Sequence, residues 1–243
     1  MAGPNRAGIV NELSPGCSTL MSQTPEDEPL DAYSARLYRK PMPAGAIVDL
    51  ILLQKSDLTH PIDTCPAAET LRKKGRLGQV FQVGGDAGTN LGNRLTKIIT
   101  EMQSPLFIVS DASASWNKDI LERLLKAIDS ADMAIGSRQA ASRVQRWQQN
   151  ATAMRRGLFW GAGVKDPHSP YRIFRTEVFR KFPLQSSGRF IDIELVAKAN
   201  FLDAMIFEEN LPFADTWPGE MKYNHLRKDI NQLFKKPCFQ FQA

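Results

Sequence analysis

The sequence predicts an α/β protein in which a largely parallel sheet is covered by helices on its faces. From residue 46 to residue 138, short apolar runs typical of buried strands alternate with segments whose apolar residues recur at the spacing of one helix face. Strands that alternate with helices are joined by crossover connections, which make neighbouring strands parallel. At 243 residues, the chain is long enough for one large domain of this class and short for two.

Six segments are predicted to be strands, because apolar residues fill short runs that end at polar or turn-forming residues. In chain order they are AIVDLILLQ (46–54), GQVFQV (78–83), PLFIVSD (105–111), ADMAIGSR (131–138), YRIF (171–174) and AMIFEENLPF (204–213).

The segments between the strands are predicted to be helices. In one of them, Leu95, Ile98, Ile99 and Met102 share a single helix face. Asn117 is a suitable N-cap for the helix after the third strand. In chain order the helices are PAAETLRKK (66–74), NRLTKIITEM (93–102), KDILERLLKAIDS (118–130), a short helix in the basic connector around RRGLFW (155–160), a helical turn after the fifth strand, RFIDIELVAKANF (189–201) and YNHLRKDINQLFKK (223–236).

Residues 1–45 are predicted to be a mostly irregular segment with a short helix around residues 31–39, and residues 46–243 to be the folded domain. Proline, glycine, serine and acidic residues dominate the first segment. It lacks the continuous apolar stretch of a secretory signal, and the chain has no run of about 18 apolar residues, so a cytoplasmic location is expected.

The net charge of +5 favours anionic partners such as nucleotides or a phospholipid surface. Basic residues interleaved with aromatic ones in the pattern of an RNA-binding motif are not found, so nucleic acid is not predicted as a partner.

Two of the predicted strands end at residues that suit a binding site. One ends at Asp111, and the next along the chain ends at Gly136, Ser137 and Arg138. Ligands of parallel α/β sheets bind at the carboxyl ends of the strands, so these residues are expected to face one crevice from neighbouring strands. The alternative is that Asp111 only caps the turn before the next helix.

Taken in order, these motifs resemble one known family. The strand ending in DAS, the strand ending in IGSR, the basic connector, KDPHSPYRIFR, FIDIELVAKA and GEMKY are similar to motifs of the inverting family 2 glycosyltransferases, which use nucleotide-sugar donors. The likeness is to the branch that contains dolichyl-phosphate mannosyltransferase and polyprenyl-phosphate glycosyltransferases. It extends from Ala46 to Tyr223 and is strongest from Leu106 to Phe213.

The resemblance implies a GT-A fold, a three-layer sandwich with a mostly parallel mixed sheet. It also implies transfer of a hexose from a nucleotide-sugar donor to a polyprenyl-phosphate or glycan acceptor with inversion, and a possible peripheral contact with a membrane. The alternative is a catalytically degenerate GT-A domain that binds nucleotide, glycan or a protein partner without turnover.

The resemblance further implies an Asp-X-Asp motif that holds Mg²⁺ or Mn²⁺ on the donor diphosphate. Asp111 matches its first position, but Ser113 stands at the second. A neutral hydroxyl is a weaker ligand for a hard cation than a carboxylate, which argues against a strong metal site. Lys55 and the arginines are the alternative counter-ions for the phosphates.

The remaining site predictions come from the same resemblance. The family's Asp-Asp-Gly-Ser motif is replaced by a segment that contains Gln54 and Asp57, and the degenerate first strand is placed at residues 9–12. His168 is expected to be an incidental loop residue, because no partner for it is identifiable from the sequence. The predicted donor-binding residues are Gln54, Asp57, Asp111, Ser113, Gly136, Ser137 and Arg138. The predicted acceptor-binding residues are Arg155, Arg156, Asp166 and Arg172, and the predicted catalytic residues are Asp111, Asp192 and Glu194. Of Asp192 and Glu194, only one is expected to point into the site, because positions two apart on a helix do not share a face.

Overall fold

The computed structural model of the protein describes residues 42–54, 65–84, 91–211, 217–219 and 226–238. The predictions for residues 1–41, including the degenerate first strand and the short helix, lie outside the described residues. The strands are β1 (Val48–Gln54), β2 (Leu77–Gly84), β3 (Leu106–Asp111), β4 (Met133–Arg138), β5 (Arg172–Arg175) and β6 (Ile206–Leu211). The helices are α1 (Pro66–Lys73), α2 (Leu91–Glu101), α3 (Lys118–Ile128), α4 (Arg143–Trp160), α5 (Thr176–Phe179), α6 (Ile191–Phe201) and α7 (Leu226–Lys235).

The strands form one mixed sheet in the order β2-β1-β3-β5-β4-β6. β1 pairs in parallel with β2 and β3, and β4 pairs in parallel with β6. β5 is antiparallel to both of its neighbours. The predicted mostly parallel mixed sheet is therefore confirmed.

Each face of the sheet carries its own apolar core, because successive side chains of a strand point to opposite faces. In β1, Leu50 and Leu52 pack with α1 and α3, whereas Ile51 and Leu53 pack with α2, α6 and α7. Helices thus cover both faces, as the predicted three-layer sandwich requires.

Local signals explain several helix boundaries. Pro66 starts α1, where its missing N–H costs no hydrogen bond. The side chain of Asn117 accepts a hydrogen bond from the backbone N–H of Ile120, which confirms it as the N-cap of α3. Gly161 ends α4 with a φ of 65°, a left-handed conformation that glycine adopts without strain.

Helix α4 is much longer than the short helix predicted near residue 155, since it has 18 residues and starts at Arg143. It connects β4 to β5, which are antiparallel neighbours. The end of β4 and the start of β5 lie on the same side of the sheet, so the connection that contains α4 begins and ends there. Within the described residues, no helix combines the length and the apolar character needed to cross a bilayer.

Candidate functional site

Several of the predicted site residues lie where the parallel strands end, a region called here the carboxyl side of the sheet. β3 ends there at Asp111 and β4 at Arg138. The expectation that these strands are neighbours is wrong, because β5 lies between them. The short antiparallel β5 brings Arg172 to the same side, and the charge of Asp111 still acts on Arg138.

Asp111 forms a two-pronged ion pair with Arg189. Nη1 of Arg189 donates to Oδ1 of Asp111 at 3.0 Å, and Nη2 donates to Oδ2 at 3.2 Å. The side chain of Arg189 is 35% exposed and that of Asp111 is 34% exposed. Within the described residues, the carboxylate is thus engaged by Arg189 and does not cap the following turn. Sequence reasoning missed Arg189, which lies in a loop without a recognisable motif.

Asp192 lies behind this pair, in the first turn of α6, and is fully buried. Its Oδ1 accepts a hydrogen bond from Nη1 of Arg172 at 2.6 Å, and its Oδ2 lies 4.0 Å from Nε of Arg189. Burial by itself would raise the pKa of Asp192, but the charges of Arg172 and Arg189 hold it well below its usual range. Such a carboxylate is a poor proton acceptor, so the geometry favours a positioning role over the predicted catalytic one.

His168 has a fixed partner, so the expectation of an incidental loop residue is wrong. Its Nδ1 lies 2.7 Å from Oδ2 of Asp192, and the ring is buried. Only the fold reveals this contact, because 24 residues separate the two side chains in sequence. The contact fixes the orientation of the loop that carries His168.

Arg138 and Asp166 bind each other. Nε of Arg138 donates to Oδ2 of Asp166 at 2.7 Å, and Nη2 donates to Oδ1 at 3.0 Å. Burial by itself would lower the pKa of Arg138, but the hydrogen bonds and charge of Asp166 raise it overall. Only 12% of the Arg138 side chain is exposed, so most of its donors face the protein and not an open crevice.

Gly136 and Ser137 are buried at the end of β4, and their neighbours explain their small size. A Cβ on Gly136 would clash with Leu211 and lie 3.0 Å from Cβ of Tyr171. Ser137 hydrogen-bonds to Glu208, whose Oε1 also accepts from the backbone N–H of Lys165 at 2.8 Å. Packing within the protein thus explains the small size of Gly136, and the predicted donor contacts of Gly136 and Ser137 stay predictions.

Glu208 is a second residue that sequence reasoning missed. Burial raises its pKa, an effect that its hydrogen bonds to the backbone N–H groups of Lys165 and Asp166 only partly oppose. A carboxylate in the middle of a predicted strand is the signal that could have identified it. It supports the loop that presents Asp166 to Arg138.

Glu194 has different partners from Asp192, and the prediction that only one of the two faces the site stays a prediction. Its oxygens accept hydrogen bonds from the backbone N–H groups of Gln185 and Ser186, each at 2.8 Å, and it pairs with Lys198. All of these contacts are buried or partly buried. Glu194 therefore holds the loop before α6 and does not suit the predicted catalytic role.

The two arginines predicted to bind the acceptor have different environments. Arg156 is buried, and its Nη2 donates to the carbonyls of Val164 and Lys165 at 3.0 Å each. These hydrogen bonds join α4 to the loop 164–165, and the predicted contact of Arg156 with an acceptor stays a prediction. Arg155 is exposed on α4. Arg172, by contrast, is buried against Asp192, a location that does not suit direct contact with an acceptor.

The described residues fit a divalent ion poorly. Both oxygens of Asp111 already accept hydrogen bonds from Arg189, and Ser113 is exposed and neutral. In the part of the chain that the structure describes, no cluster of three His, Cys, Asp or Glu side chains is arranged to hold a metal. Asp57 and the side chain of Gln54 lie outside the described residues, so their predicted donor contacts stay predictions.

No protein-family model matches the chain. The chain is 30% identical over 190 residues to a polyprenol monophosphomannose synthase of Mycolicibacterium smegmatis. This alignment covers 73% of the chain but only 64% of the relative, so the chain spans less than two thirds of the length of that protein.

Solved structures with a similar fold include glucosyl-3-phosphoglycerate synthase from Mycobacterium tuberculosis. Its complex with Mn²⁺, UDP-glucose and phosphoglyceric acid aligns with a TM-score of 0.54 at 10% identity, over 78% of each chain. Its complex with Mg²⁺ and UDP aligns with a TM-score of 0.52 at 13% identity, over 78% of this chain and 77% of that one. The predicted GT-A fold and the resemblance to polyprenyl-phosphate glycosyltransferases are thereby confirmed.

Proposed function

We propose that this chain, a GT-A protein related to a polyprenol monophosphomannose synthase, is an inverting glycosyltransferase that moves a hexose from a nucleotide-sugar donor to a polyprenyl phosphate. The observation that carries the proposal is the partly exposed Asp111–Arg189 pair at the end of β3. In α/β sheets of this kind, ligands bind beyond the carboxyl ends of the strands. The pair offers a donor both a hydrogen-bond acceptor and a cation at that position.

The reaction needs one bond to form and one to break at the anomeric carbon. An acceptor phosphate oxygen attacks the carbon from the side opposite the leaving group, and the bond from that carbon to the nucleoside diphosphate breaks, with inversion. A phosphate acceptor is already ionised at neutral pH, so it needs no general base. This chemistry agrees with a site whose buried Asp192 is a poor proton acceptor. The diphosphate leaves with more negative charge than it carried in the donor, and fixed cations stabilise that charge.

The exposed face of α4 supports an acceptor that is linked to a lipid. Gln149, Ala153 and Arg156 form the buried face of this helix. On the opposite face, large apolar side chains are 66–75% exposed. They are Val144, Trp147, Met154, Leu158 and Phe159.

Charge indicates what covers this face. Arg143, Arg146 and Arg155 are exposed on α4, and the helix contains no acidic residue. A helix with exposed apolar and basic residues and no acidic ones suits the surface of an anionic bilayer. Since the connection containing α4 begins and ends at the carboxyl side of the sheet, a bilayer on α4 would bring lipid phosphates close to Asp111 and Arg189.

Donor binding and transfer test the proposed activity. Calorimetry with UDP-glucose, UDP-mannose and GDP-mannose, with and without Mn²⁺, is expected to show binding of at least one donor. The same donor, radiolabelled in the sugar, is expected to label a short-chain polyprenyl phosphate. Binding without any transfer would favour the degenerate GT-A domain, and absence of binding under all conditions would reject the donor site.

Vesicle sedimentation tests the contact with lipid. The protein is expected to bind phosphatidylglycerol vesicles more strongly than phosphatidylcholine vesicles, and less strongly as salt is raised. Burial of one large apolar side chain is worth about 1.5–3 kcal/mol, so the double change Trp147→Ser and Leu158→Ser should weaken binding by tenfold or more. Gln148→Ser, at an exposed polar position of the same helix, is the matched control. Equal binding by both variants would contradict the assignment of this face.

A further inference from the structure

Arg189 holds the position at which the resemblance places a metal ion. Asp111 is the first residue of the degenerate Asp-X-Asp motif, and its two oxygens accept hydrogen bonds from the two Nη atoms of Arg189. Ser113 removes the second carboxylate that a divalent ion would require. The negative charge at the end of β3 is therefore compensated by a guanidinium supplied by this chain.

Exposure separates Arg189 from Arg138 and Arg172, two other arginines on this side of the sheet. The side chain of Arg138 is 12% exposed and that of Arg172 is 2% exposed, and each is paired with a buried carboxylate. The side chain of Arg189 is 35% exposed, about the same fraction as its partner Asp111 at 34%. Solvent, and hence a ligand, reaches Arg189 far more easily than it reaches the other two.

Arg189 also retains hydrogen-bonding capacity. A guanidinium has five N–H donors, and within the described residues two donate to Asp111. Its Nε lies 4.0 Å from Oδ2 of the buried Asp192, so a second carboxylate lies close to the guanidinium. The cation is thus fixed in place by two carboxylates and keeps N–H groups for an anion.

We propose that Arg189 binds the diphosphate of the donor in place of a divalent ion, and that Asp111 is a positioning residue for Arg189. This inference rests on the proposed function, since it names how the same site holds its donor. Guanidinium and phosphate form paired hydrogen bonds, and the guanidinium stays charged at every accessible pH. The leaving nucleoside diphosphate would then be stabilised by a cation that chelators do not remove.

Calorimetry with UDP and GDP, each in EDTA or in Mn²⁺, tests the inference. For whichever nucleotide binds, the wild-type Kd is expected to agree within twofold between EDTA and Mn²⁺. Arg189→Ala should raise the Kd in EDTA at least tenfold, whereas the Kd for the corresponding nucleoside, uridine or guanosine, should change less than twofold. Lys73→Ala, which removes a cation paired with Glu69 on the exposed surface of α1, should leave every Kd unchanged.

A conservative variant separates lost binding from lost folding. Arg189→Lys keeps the charge and loses the two-pronged geometry, so it should bind the diphosphate with an affinity between those of the wild type and Arg189→Ala, with thermal unfolding close to that of the wild type. Binding that requires Mn²⁺, or an Arg189→Lys protein with wild-type affinity in EDTA, would overturn the inference and leave the proposed function standing. Absence of binding of both nucleotides in both buffers would overturn both.

Discussion

Replacing Asp192 by asparagine is expected to destabilise the protein strongly, because this carboxylate compensates the buried cation of Arg172. Arg172 lies 2.6 Å from it with a side chain that is 2% exposed, and Arg189 lies 4.0 Å away. Asparagine keeps the size of the side chain and an oxygen acceptor but removes the charge. Arg172 would then remain buried without a counter-ion.

The magnitude follows from the burial of the pair. Removing one partner of a buried ion pair costs about 3–5 kcal/mol, compared with a total stability of about 5–15 kcal/mol for a typical domain. A change of 1 kcal/mol shifts the thermal midpoint of a domain of 150–250 residues by about 2–4 °C, so Asp192→Asn should lower the midpoint by roughly 6–20 °C. Glu69→Gln, at a fully exposed ion pair on α1, is the control and should not move the midpoint measurably.

The pH dependence of stability tests the lowered pKa of Asp192 directly. The pKa of Asp192 is lower in the folded state than in the unfolded state. The contribution of Asp192 to the free energy of unfolding is therefore present in full above the unfolded pKa, near 3.9, and is lost as the pH falls from there towards the folded pKa. The difference between wild type and Asp192→Asn in urea unfolding, followed by circular dichroism, should be largest at pH 7 and should shrink at pH 3.5.

Two outcomes would refute the reasoning about Asp192. One is a loss of stability in Asp192→Asn at pH 7 that is no larger than that in Glu69→Gln, which would mean that another group compensates the charge of Arg172. The other is a difference that grows as the pH falls, which would mean that Asp192 has a raised pKa in the folded state and not a lowered one.

Three further predictions concern the surroundings of the site. Gly136→Ala should destabilise the protein by about 1–3 kcal/mol, because a Cβ there would clash with Leu211, and Leu211→Ala added to it should cost less than the sum of the two single changes in urea unfolding. Asn117→Ala should cost about 1 kcal/mol by the same measurement, since it removes the side-chain cap of α3, and Asn117→Asp should retain most of the stability. Burial raises the folded-state pKa of Glu208, so its contribution to the free energy of unfolding is present below the unfolded pKa and is lost as the pH rises. The stability of the wild type relative to Glu208→Gln in urea unfolding should therefore fall between pH 4 and pH 7. A rise over this range would contradict the raised pKa.

The strands could be predicted because their signals are local. β1, β3 and β4 are apolar runs bounded by polar or turn-forming residues, and each was found within a few residues of its predicted bounds. The length of α4 could not be predicted in the same way. Large apolar residues are exposed on it beside arginines, and two of its buried residues, Gln149 and Arg156, are polar, so its burial does not follow the polarity of its residues.

The ion pairs among the predicted site residues could not be predicted from the sequence. Asp111, Arg138, Asp166, Arg172 and Asp192 were all identified from the sequence as residues of one site, and the structure connects them with one another through ion pairs and shared loops. The sequence could not show these pairings, because the partners lie far apart in the chain: 20 residues for Arg172 and Asp192, 28 for Arg138 and Asp166, and 78 for Arg189 and Asp111.

The amino-acid sequence by itself determined the alternation of strands and helices, the capping of α3 and the position of a carboxylate at the end of β3, since each depends on neighbours within one turn or one strand. The tertiary structure alone decided that β5 enters antiparallel between β3 and β4, and that Arg189 meets Asp111. The physical reason is that strand order and ion pairing are set by the burial of whole faces and by long-range charge compensation. No local run of residues specifies either of them.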